Sequence, residues 1–361
     1  MSQTPNQPED AAFELLRDLV DRRMVDTVLL AVPDMLGRLK GKRIDADHFV
    51  DRVVAGGGDI CAYILATDVD MRALDGFALA SADTGYGDVS LLPDPDAVYR
   101  LAWMRRTALV FADAIGHDGQ PVSVAPRQIL QRQLDRLAAR GITAQVGLET
   151  EFVLSYADAT VPHHHPLRPV FDRNLDYSLD HPQVLTRFFE ELQGGLGSRR
   201  GPSPNGPGWW RTSWPHPRPA SAAVPGTFAP TTFTWGRDNR TCAIRVVGRG
   251  ENLHLENRLP GADTNPYLAL AATLAAVLVG LDHKSEPPQP YVGSAFDDPE
   301  APPVLGSLQE ALDALPNCPL PAEDLLTADV AAHYATAAGH ELDVHRITVT
   351  DFDLLRGLTS A

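Results

Sequence analysis

The stretch of sequence that decides the fold reads LENRLPGADTNPYLAL and occupies residues 255–270. Alternate side chains of a strand project from one face, so Glu256 and Arg258 share a face if this segment is extended. A carboxylate beside a guanidinium is either a plain ion pair or a metal ligand next to a group that binds an anionic substrate. The alanine-rich run at residues 267–281 is shorter than the roughly 20 residues of a membrane span, so it predicts a buried helix from about Pro266.

Three arginines precede this stretch in the motif WGRDNRTCAIR, residues 235–245, and the candidate binding residues are Arg240 and Arg245. Gly236 allows the close approach of another chain segment. In an extended segment the odd separation of Arg240 and Arg245 places them on opposite faces, so both reach one anion only if a turn or bulge lies between them. Arginine suits phosphate and carboxylate groups because its planar fork of donors matches their oxygens. Surface ion pairs are the alternative role for both residues.

A pair of acidic residues lies in the motif GLETEF, residues 147–152. We expect a core strand over residues 142–156, which places Glu149 and Glu151 on the same face. Two like charges on one strand face repel each other unless a cation lies between them. Carboxylate oxygens favour Mg²⁺ or Mn²⁺. The alternative is an edge strand on which both side chains face water.

Composition limits the classes of function. The chain has 361 residues, which predicts about two domains, and its 44% hydrophobic and 22% charged residues are typical of a soluble globular protein. A net charge of −16 argues against nucleic acid and anionic membranes as partners, because both reward a basic face. The polar N-terminus does not resemble a signal peptide, which predicts a cytoplasmic protein. Three widely spaced cysteines predict isolated buried thiols.

The apolar patterning divides the chain into three parts. Residues 1–10 are expected to form a disordered lead, residues 11–119 a small mixed-sheet domain, and residues 120–361 a larger domain. Within the first domain we expect a helix at 11–22 and strand-length segments at 27–32, 62–66, 89–92 and 108–112. Within the second we expect helices at 126–140 and 177–192, paired strands over 228–258, and a helix capped by Ser307 and Glu310.

Together these motifs resemble the glutamine synthetase family, with the motifs in the same order along the chain. The N-terminal half adds supporting positions, namely Asp34, Gly37, Gly41, Lys42, Tyr86, Asp88, Leu92, Pro93, Asp94, Pro126 and Arg127. The resemblance covers roughly residues 10–195 and 224–361. It implies an α+β fold, with a small β-grasp-like N-terminal domain followed by a glutamine synthetase-type catalytic α+β domain, here incomplete. It also implies rings of subunits in which neighbours share each active site.

The resemblance further implies an ATP-dependent ligase. The γ-carboxylate of glutamate attacks ATP to give an acyl phosphate, and ammonia or an organic amine then displaces phosphate to leave an amide. Carried over by position, Glu149 and Glu256 hold the metal on the nucleotide side, and Glu151 holds the metal on the substrate side. The remaining roles fall to arginines. Arg240 and Arg245 are the catalytic residues that contact the phosphates of ATP, and Arg258 binds the substrate carboxylate.

One segment departs from the family pattern. The 46 residues from Leu192 to Arg237 contain no Asp or Glu, and the anomalous segment 197–223 is rich in proline, arginine and tryptophan. The resemblance implies here further metal-binding carboxylates, a metal-binding histidine and a Tyr-Lys-Arg motif, and the sequence has none of them. A frameshift that begins near Gly197 and returns to frame near Ala223 explains both observations, and sequencing the gene tests this hypothesis.

Other departures concern the substrate and the activity. Phe228 replaces the flap glutamate of ammonia-using members, which favours an organic amine, and His254 stands where an arginine is expected. Because several electrostatic groups are missing, we expect the ligase to be impaired or inactive. The alternatives are a non-catalytic paralogue, which assembles with an intact full-length paralogue in a mixed ring or regulates it, and a gene remnant that does not fold. A homo-oligomeric ring is the expectation if the chain assembles alone.

Overall fold

A computed structural model describes the structure of most of the residues of the chain. They are 8–149, 170–171, 177–180, 182–196, 229–296, 298–318, 327–350, 353–354 and 356. Helix α1 (Pro8–Asp21) buries Leu16 and Val20, as its apolar spacing predicted. It begins inside the expected lead of residues 1–10, so the last three residues of that lead are helical rather than disordered.

The first sheet has five strands, β1 (Thr27–Pro33), β2 (Leu39–Asp45), β3 (Gly58–Cys61), β4 (Asp88–Arg100) and β5 (Thr107–Ile115). Their order across the sheet is β2-β1-β5-β4-β3, with β1 parallel to β5 and the other pairs antiparallel. This confirms a small mixed sheet. The expected strand at residues 62–66 is wrong, because Ala62–Leu65 forms a 3₁₀ turn. A short apolar run does not distinguish a strand from a helical turn.

Helices α2 (Pro126–Ala138) and α4 (Pro266–Asp282) pack against each other, with Leu137, Leu274 and Leu278 in their contact. Proline at the first position of each helix fits the missing N–H there. Gly141, with φ of +70°, follows the end of α2. Helix α3 (Gln183–Leu196) begins later than the expected helix at 177–192.

The hydrophobic core of the first sheet continues into the C-terminal half of the chain. Ile129 of α2, Ala271 of α4 and Val330 of helix α6 (Ala328–Ile347) are buried in the same cluster as the strands β1, β4 and β5. Helix α5 (Leu308–Ala314) precedes α6, and Ser307 Oγ accepts the N–H of Glu310, which confirms its predicted cap. The division of the chain at residue 119 stays a prediction, since one core lies on both sides of it.

The second sheet contains strands β6 (Trp235–Arg237), β7 (Ile244–Val247) and β8 (His254–Asn257) in that order. β6 is parallel to β7, and β7 is antiparallel to β8 with Arg245 opposite Glu256. Paired strands within residues 228–258 are therefore confirmed. With two sheets and packed helices, the described chain has the mixed helix-and-sheet architecture that the sequence predicted.

Several expectations have a different outcome. Residues 142–149 are exposed and form no strand, because no described strand pairs with them and a strand needs a neighbour for its backbone hydrogen bonds. The remainder of the expected strand and the anomalous segment 197–223 lie outside the described residues. Cys242 is buried as expected, whereas Cys318 is exposed. Within the described part of the chain, none of the helices has the length and apolar character that crossing a bilayer requires.

Candidate active site

The turn between β6 and β7 brings Arg240 and Arg245 of the WGRDNRTCAIR motif to one place. Residues 238–243 connect the parallel strands, and Arg240 on this turn and Arg245 on β7 line the same open hollow of about 780 Å³. The expectation of a turn between them is therefore confirmed. We call this space the arginine hollow, and its lining consists of Arg237, Asp238, Asn239, Arg240, Arg245, Pro290, Tyr291, Val292 and Gly293.

Gly236 allows the wall of the arginine hollow to close. A Cβ atom at this position would lie 2.9 Å from Cβ of Asn239 and 2.9 Å from the carbonyl oxygen of Tyr291. Real Cβ atoms almost never approach other atoms so closely. The close approach that the sequence predicted for this glycine is confirmed.

The side chains of Asn239 and Thr241 form hydrogen bonds with the loop at residues 291–295, part of which lines the hollow. Asn239 donates from Nδ2 to the carbonyl oxygens of Tyr291 and Gly293, at 3.3 and 2.9 Å. Its Oδ1 accepts from the backbone N–H and the hydroxyl of Thr241, at 3.0 and 2.7 Å. Thr241 Oγ1 also accepts the N–H of Ala295 at 2.9 Å. The turn that carries Arg240 is thus bound directly to the loop at residues 291–295.

Arg245 is a buried cation with two carboxylate partners. Its Nη1 donates to Oε1 of Glu256 at 2.7 Å, and its Nε donates to Oδ1 of Asp238 at 3.1 Å. Burial acts to lower the pKa of Arg245, but the hydrogen bonds and charges of Glu256 and Asp238 outweigh it and raise the pKa above its usual value. Arg245 therefore stays charged, and the ion-pair role that the sequence left open is present for this residue.

The predicted metal ligands have different surroundings. Glu256 lies between Arg245 and Arg258, whose Nη1 is 4.0 Å from Oε2 of Glu256. Two guanidinium groups already partner this carboxylate, which weakens its attraction for a divalent cation. Glu149 is exposed, and Glu151 lies outside the described residues, so whether the three carboxylates converge stays a prediction. Among the described residues, His, Cys, Asp and Glu side chains form no group of three that can hold a metal ion.

Asn265 connects the second half of the chain to the first sheet. Its Nδ2 donates to the backbone carbonyls of Asp34 and Met35, at 3.1 and 3.0 Å, while its Oδ1 accepts the N–H of Tyr267 and caps α4. Gly37 fits beside it because a Cβ there would lie 3.2 Å from Cα of Asn265. The Asp34, Gly37 and Asn265 positions of the family pattern are therefore neighbours in the structure.

A half-buried arginine on α2 fixes that helix to the first sheet. Arg127 Nε donates to Asp113 at 2.8 Å, and its Nη2 donates to Asp94. Burial acts to lower the pKa of Arg127, but Asp113 and Asp94 outweigh it and raise the pKa well above its usual range. The guanidinium also lies 5.9 Å from the ring centroid of Phe111. These contacts hold the start of α2 against β4 and β5.

Sequence reasoning missed the roles of Asp238, Asn239 and Asn265. The motif that contains Asp238 and Asn239 was visible. The carbonyl partners of Asn239 lie 52 and 54 residues away and leave no local signal, whereas the partner of Asp238, Arg245, lies in the same motif. Asn265 did carry a signal, because an asparagine before a helix-initiating proline is typical of an N-cap.

Comparisons with known proteins identify a family and relatives to which the chain is similar. The family model described as the catalytic domain of glutamine synthetase matches residues 221–356. The γ-glutamylethanolamide synthetase of Streptomyces coelicolor is 35% identical over 95% of this chain and 95% of its own length. The glutamate–isopropylamine ligase of a Pseudomonas species is 24% identical over 95% of this chain and 97% of its own length. Both alignments, at 439 and 446 positions, exceed the 361 residues of this chain, so parts of each relative face no residue here.

Solved structures show the same fold. The GmaS complex with ADP is similar with a TM-score of 0.62 and 19% identity, and the match covers 95% of this chain and 99% of that one. A crystal structure of a glutamine synthase homologue matches with a TM-score of 0.63 and 16% identity, over 92% of this chain and 97% of its own.

Proposed function

The chain belongs to the glutamine synthetase family, in its branch of γ-glutamyl amine ligases, and we propose that it descends from a ligase that joins glutamate to an amine with ATP. The observation that carries this proposal is the 35% identity to γ-glutamylethanolamide synthetase over 95% of both chains. In the proposed reaction, the γ-carboxylate attacks the γ-phosphorus of ATP, which gives an acyl phosphate and releases ADP. The amine then attacks the acyl carbon, loses a proton and expels inorganic phosphate.

Arg240 and Arg245 are proposed to bind the phosphates of the nucleotide in the arginine hollow. Both line one open space, and Arg245 is held charged by Glu256 and Asp238. Arg258 is proposed to bind the substrate carboxylate. It directly follows β8 and lies next to Glu256, whose other partner Arg245 lines the hollow, so Arg258 is placed near the hollow without lining it.

Enzymes of this family use ATP and divalent metals. Here we propose that Mg²⁺ or Mn²⁺ binds Glu149, Glu151 and Glu256 only weakly. The support is the surroundings of Glu256 between two guanidinium groups, together with the positions of both relatives that face no residue of this chain. Losing one preorganised electrostatic group typically costs about a hundredfold in rate, so losing several predicts an impaired or inactive ligase.

An organic amine is the proposed nucleophile of the active ancestor, in preference to ammonia. Phe228 replaces a carboxylate that ammonium needs, and the two curated relatives are named for ethanolamide and isopropylamine products or substrates. A cytoplasmic location, where ATP and glutamate are supplied, is part of this proposal.

A second candidate function is a non-catalytic subunit. The chain keeps the junction of Asn265 with Asp34 and the arginine hollow, while it lacks positions that both relatives have. A chain that folds without a complete site fits a mixed ring with a full-length paralogue, whereas an active chain fits a homo-oligomeric ring. A gene remnant that does not fold is the remaining alternative.

The test is phosphate release by the purified full chain with ATP, glutamate and ethanolamine or isopropylamine. The γ-glutamylethanolamide synthetase of Streptomyces coelicolor serves as the positive control. We expect release at least a hundredfold slower than the control, and co-purification with a full-length paralogue supports the subunit role. Release at the control's rate, dependent on glutamate and amine and lost in Arg240→Ala, contradicts the proposed impairment. An insoluble chain supports the remnant.

A further inference from the structure

The two carboxylates that hold Arg245 differ in their exposure. Glu256, on the neighbouring strand β8, meets Nη1 and has a side chain that is 29% exposed. Asp238, on the turn, meets Nε and Nη2 and has a side chain that is 74% exposed. The guanidinium between them is only 9% exposed. Asp238 therefore covers the edge of Arg245 that faces the arginine hollow.

The backbone of Asp238 is hydrogen-bonded to β7, so its side chain can move away from Arg245 without a change in the backbone. Its N–H donates to the carbonyl of Val246 at 2.9 Å, and its φ of +50° lies in the left-handed region. Asparagine and aspartate tolerate this region better than other residues with a Cβ. Glu256 stays in place when Asp238 moves, since it is less exposed and lies 4.0 Å from Arg258 as well.

We propose that Asp238 determines the specificity of the arginine hollow, because its carboxylate occupies the edge of Arg245 that an incoming anion needs. A ligand with one negative charge forms an ion pair with Arg245 that is no stronger than the existing ion pair with Asp238. A pyrophosphate group carries more charge and can contact Arg237 and Arg240 at the same time, so it displaces the carboxylate. The hollow thus selects polyphosphates against monocarboxylates. This inference rests on the proposed function only in taking the hollow as the phosphate site.

The experiment compares pyrophosphate with acetate as ligands of the full-length chain, at low salt. Binding is followed by the amide chemical shifts of Thr241 and Gly293, which flank the hollow. The variant Asp238→Asn removes the charge and suits the left-handed backbone, so the fold is retained. Glu251→Gln is the matched control, since it removes the same charge from an exposed residue that does not line the hollow.

We expect Asp238→Asn to bind pyrophosphate about two- to fivefold more tightly than the unmodified chain, which is the range of a released exposed ion pair. The affinity for acetate rises by a larger factor, so the preference for pyrophosphate over acetate shrinks. Equal pyrophosphate affinities in the two proteins overturn this inference and leave the phosphate role of the hollow standing. An equal gain in Glu251→Gln also overturns it, because the effect is then one of net charge. No binding by either protein overturns both proposals.

Discussion

The side-chain amide of Asn265 lies 3.1 Å from the backbone carbonyl oxygen of Asp34, although 230 residues separate them in sequence. The same side chain caps α4, so one residue both starts a helix and fixes that helix to the loop after β1. The junction between the two halves of the chain therefore includes this buried amide, together with the shared hydrophobic core and the hydrogen bond between His333 and Leu65.

Replacing Asn265 by alanine is expected to lower the free energy of unfolding by about 3 kcal/mol. The cap contributes about 1 kcal/mol. The lost hydrogen bonds to the carbonyls of Asp34, which still accepts the N–H of Gly37, and of Met35 account for the rest. Urea denaturation of the full chain measures the change. Ser307→Ala is the matched control, since it removes a cap from the short helix α5, and we expect a loss of about 1 kcal/mol or less there. Equal losses contradict a junction role for Asn265.

The two partners of Arg245 are expected to differ in their effect on stability. Glu256→Gln leaves the buried guanidinium with its more exposed partner only, so we expect a loss of about 1 to 3 kcal/mol. Asp238→Asn is expected to cost less than about 1 kcal/mol, because exposed ion pairs contribute little. Thermal and urea unfolding of both variants measure the difference. A larger loss for Asp238→Asn contradicts the assignment of Glu256 as the anchor.

Gly236→Ala is expected to destabilise the second sheet. The added Cβ meets Cβ of Asn239 and the carbonyl of Tyr291, so the loop at residues 291–295 must shift, at a cost of about 1 to 3 kcal/mol. Gly280→Ala is the control, because Gly280 lies in α4 with nothing within 4 Å of the added atom. That change stabilises the helix by up to about 1 kcal/mol. In urea denaturation we expect the free energy of unfolding to fall for Gly236→Ala and to rise for Gly280→Ala. A change of the same sign in both variants contradicts the close approach at Gly236.

Stability is expected to fall as the pH drops from about 6.5 to about 4, because of His333. Its ring is buried on α6 against Phe77, and Nε2 lies 2.8 Å from the carbonyl oxygen of Leu65. Burial lowers the pKa of His333 from 6.5 to about 4, although the Leu65 carbonyl and the charge of Asp329 act to raise it. Between pH 6.5 and pH 4 the unfolded chain binds more protons than the folded chain. The contribution of His333 to the free energy of unfolding is therefore complete above pH 6.5 and is lost as the pH falls.

His333→Gln separates this effect from other titrations. Glutamine can still donate to Leu65 but does not titrate, so the variant's unfolding free energy should decline less between pH 6.5 and 4. The full difference is about 3 kcal/mol. Urea midpoints across this pH range measure it. Parallel pH profiles for the two proteins contradict the burial of a neutral histidine.

The sequence predicted the helices that are bounded by proline or glycine or that have a regular apolar spacing. The proline at 126 and the glycine at 141 bound α2, and the apolar spacing of α1 gave its buried face. The odd separation of Arg240 and Arg245 indicated that both reach one anion only if a turn or bulge lies between them, and the structure has a turn there. These features depend on neighbours within a few residues, which the sequence displays directly.

Long-range contacts were beyond local signals. Nothing near Asn239 indicates that its amide binds Gly293, and nothing near Asp34 indicates Asn265. Residues 62–65 carry an apolar run that suits a strand, yet they form a 3₁₀ turn, because the tertiary surroundings decide between the two. The strand expected at residues 142–156 needed a neighbouring strand, and the described part of the sheet does not supply one.

The central claim is that this chain keeps the fold of a glutamate–amine ligase but holds its metal and nucleotide only weakly. Calorimetric titration of the full chain with Mg²⁺ and a non-hydrolysable ATP analogue tests it most directly, with Glu149→Gln as the comparison. The account predicts binding weaker than about millimolar in both proteins. A tight isotherm that Glu149→Gln weakens would contradict it.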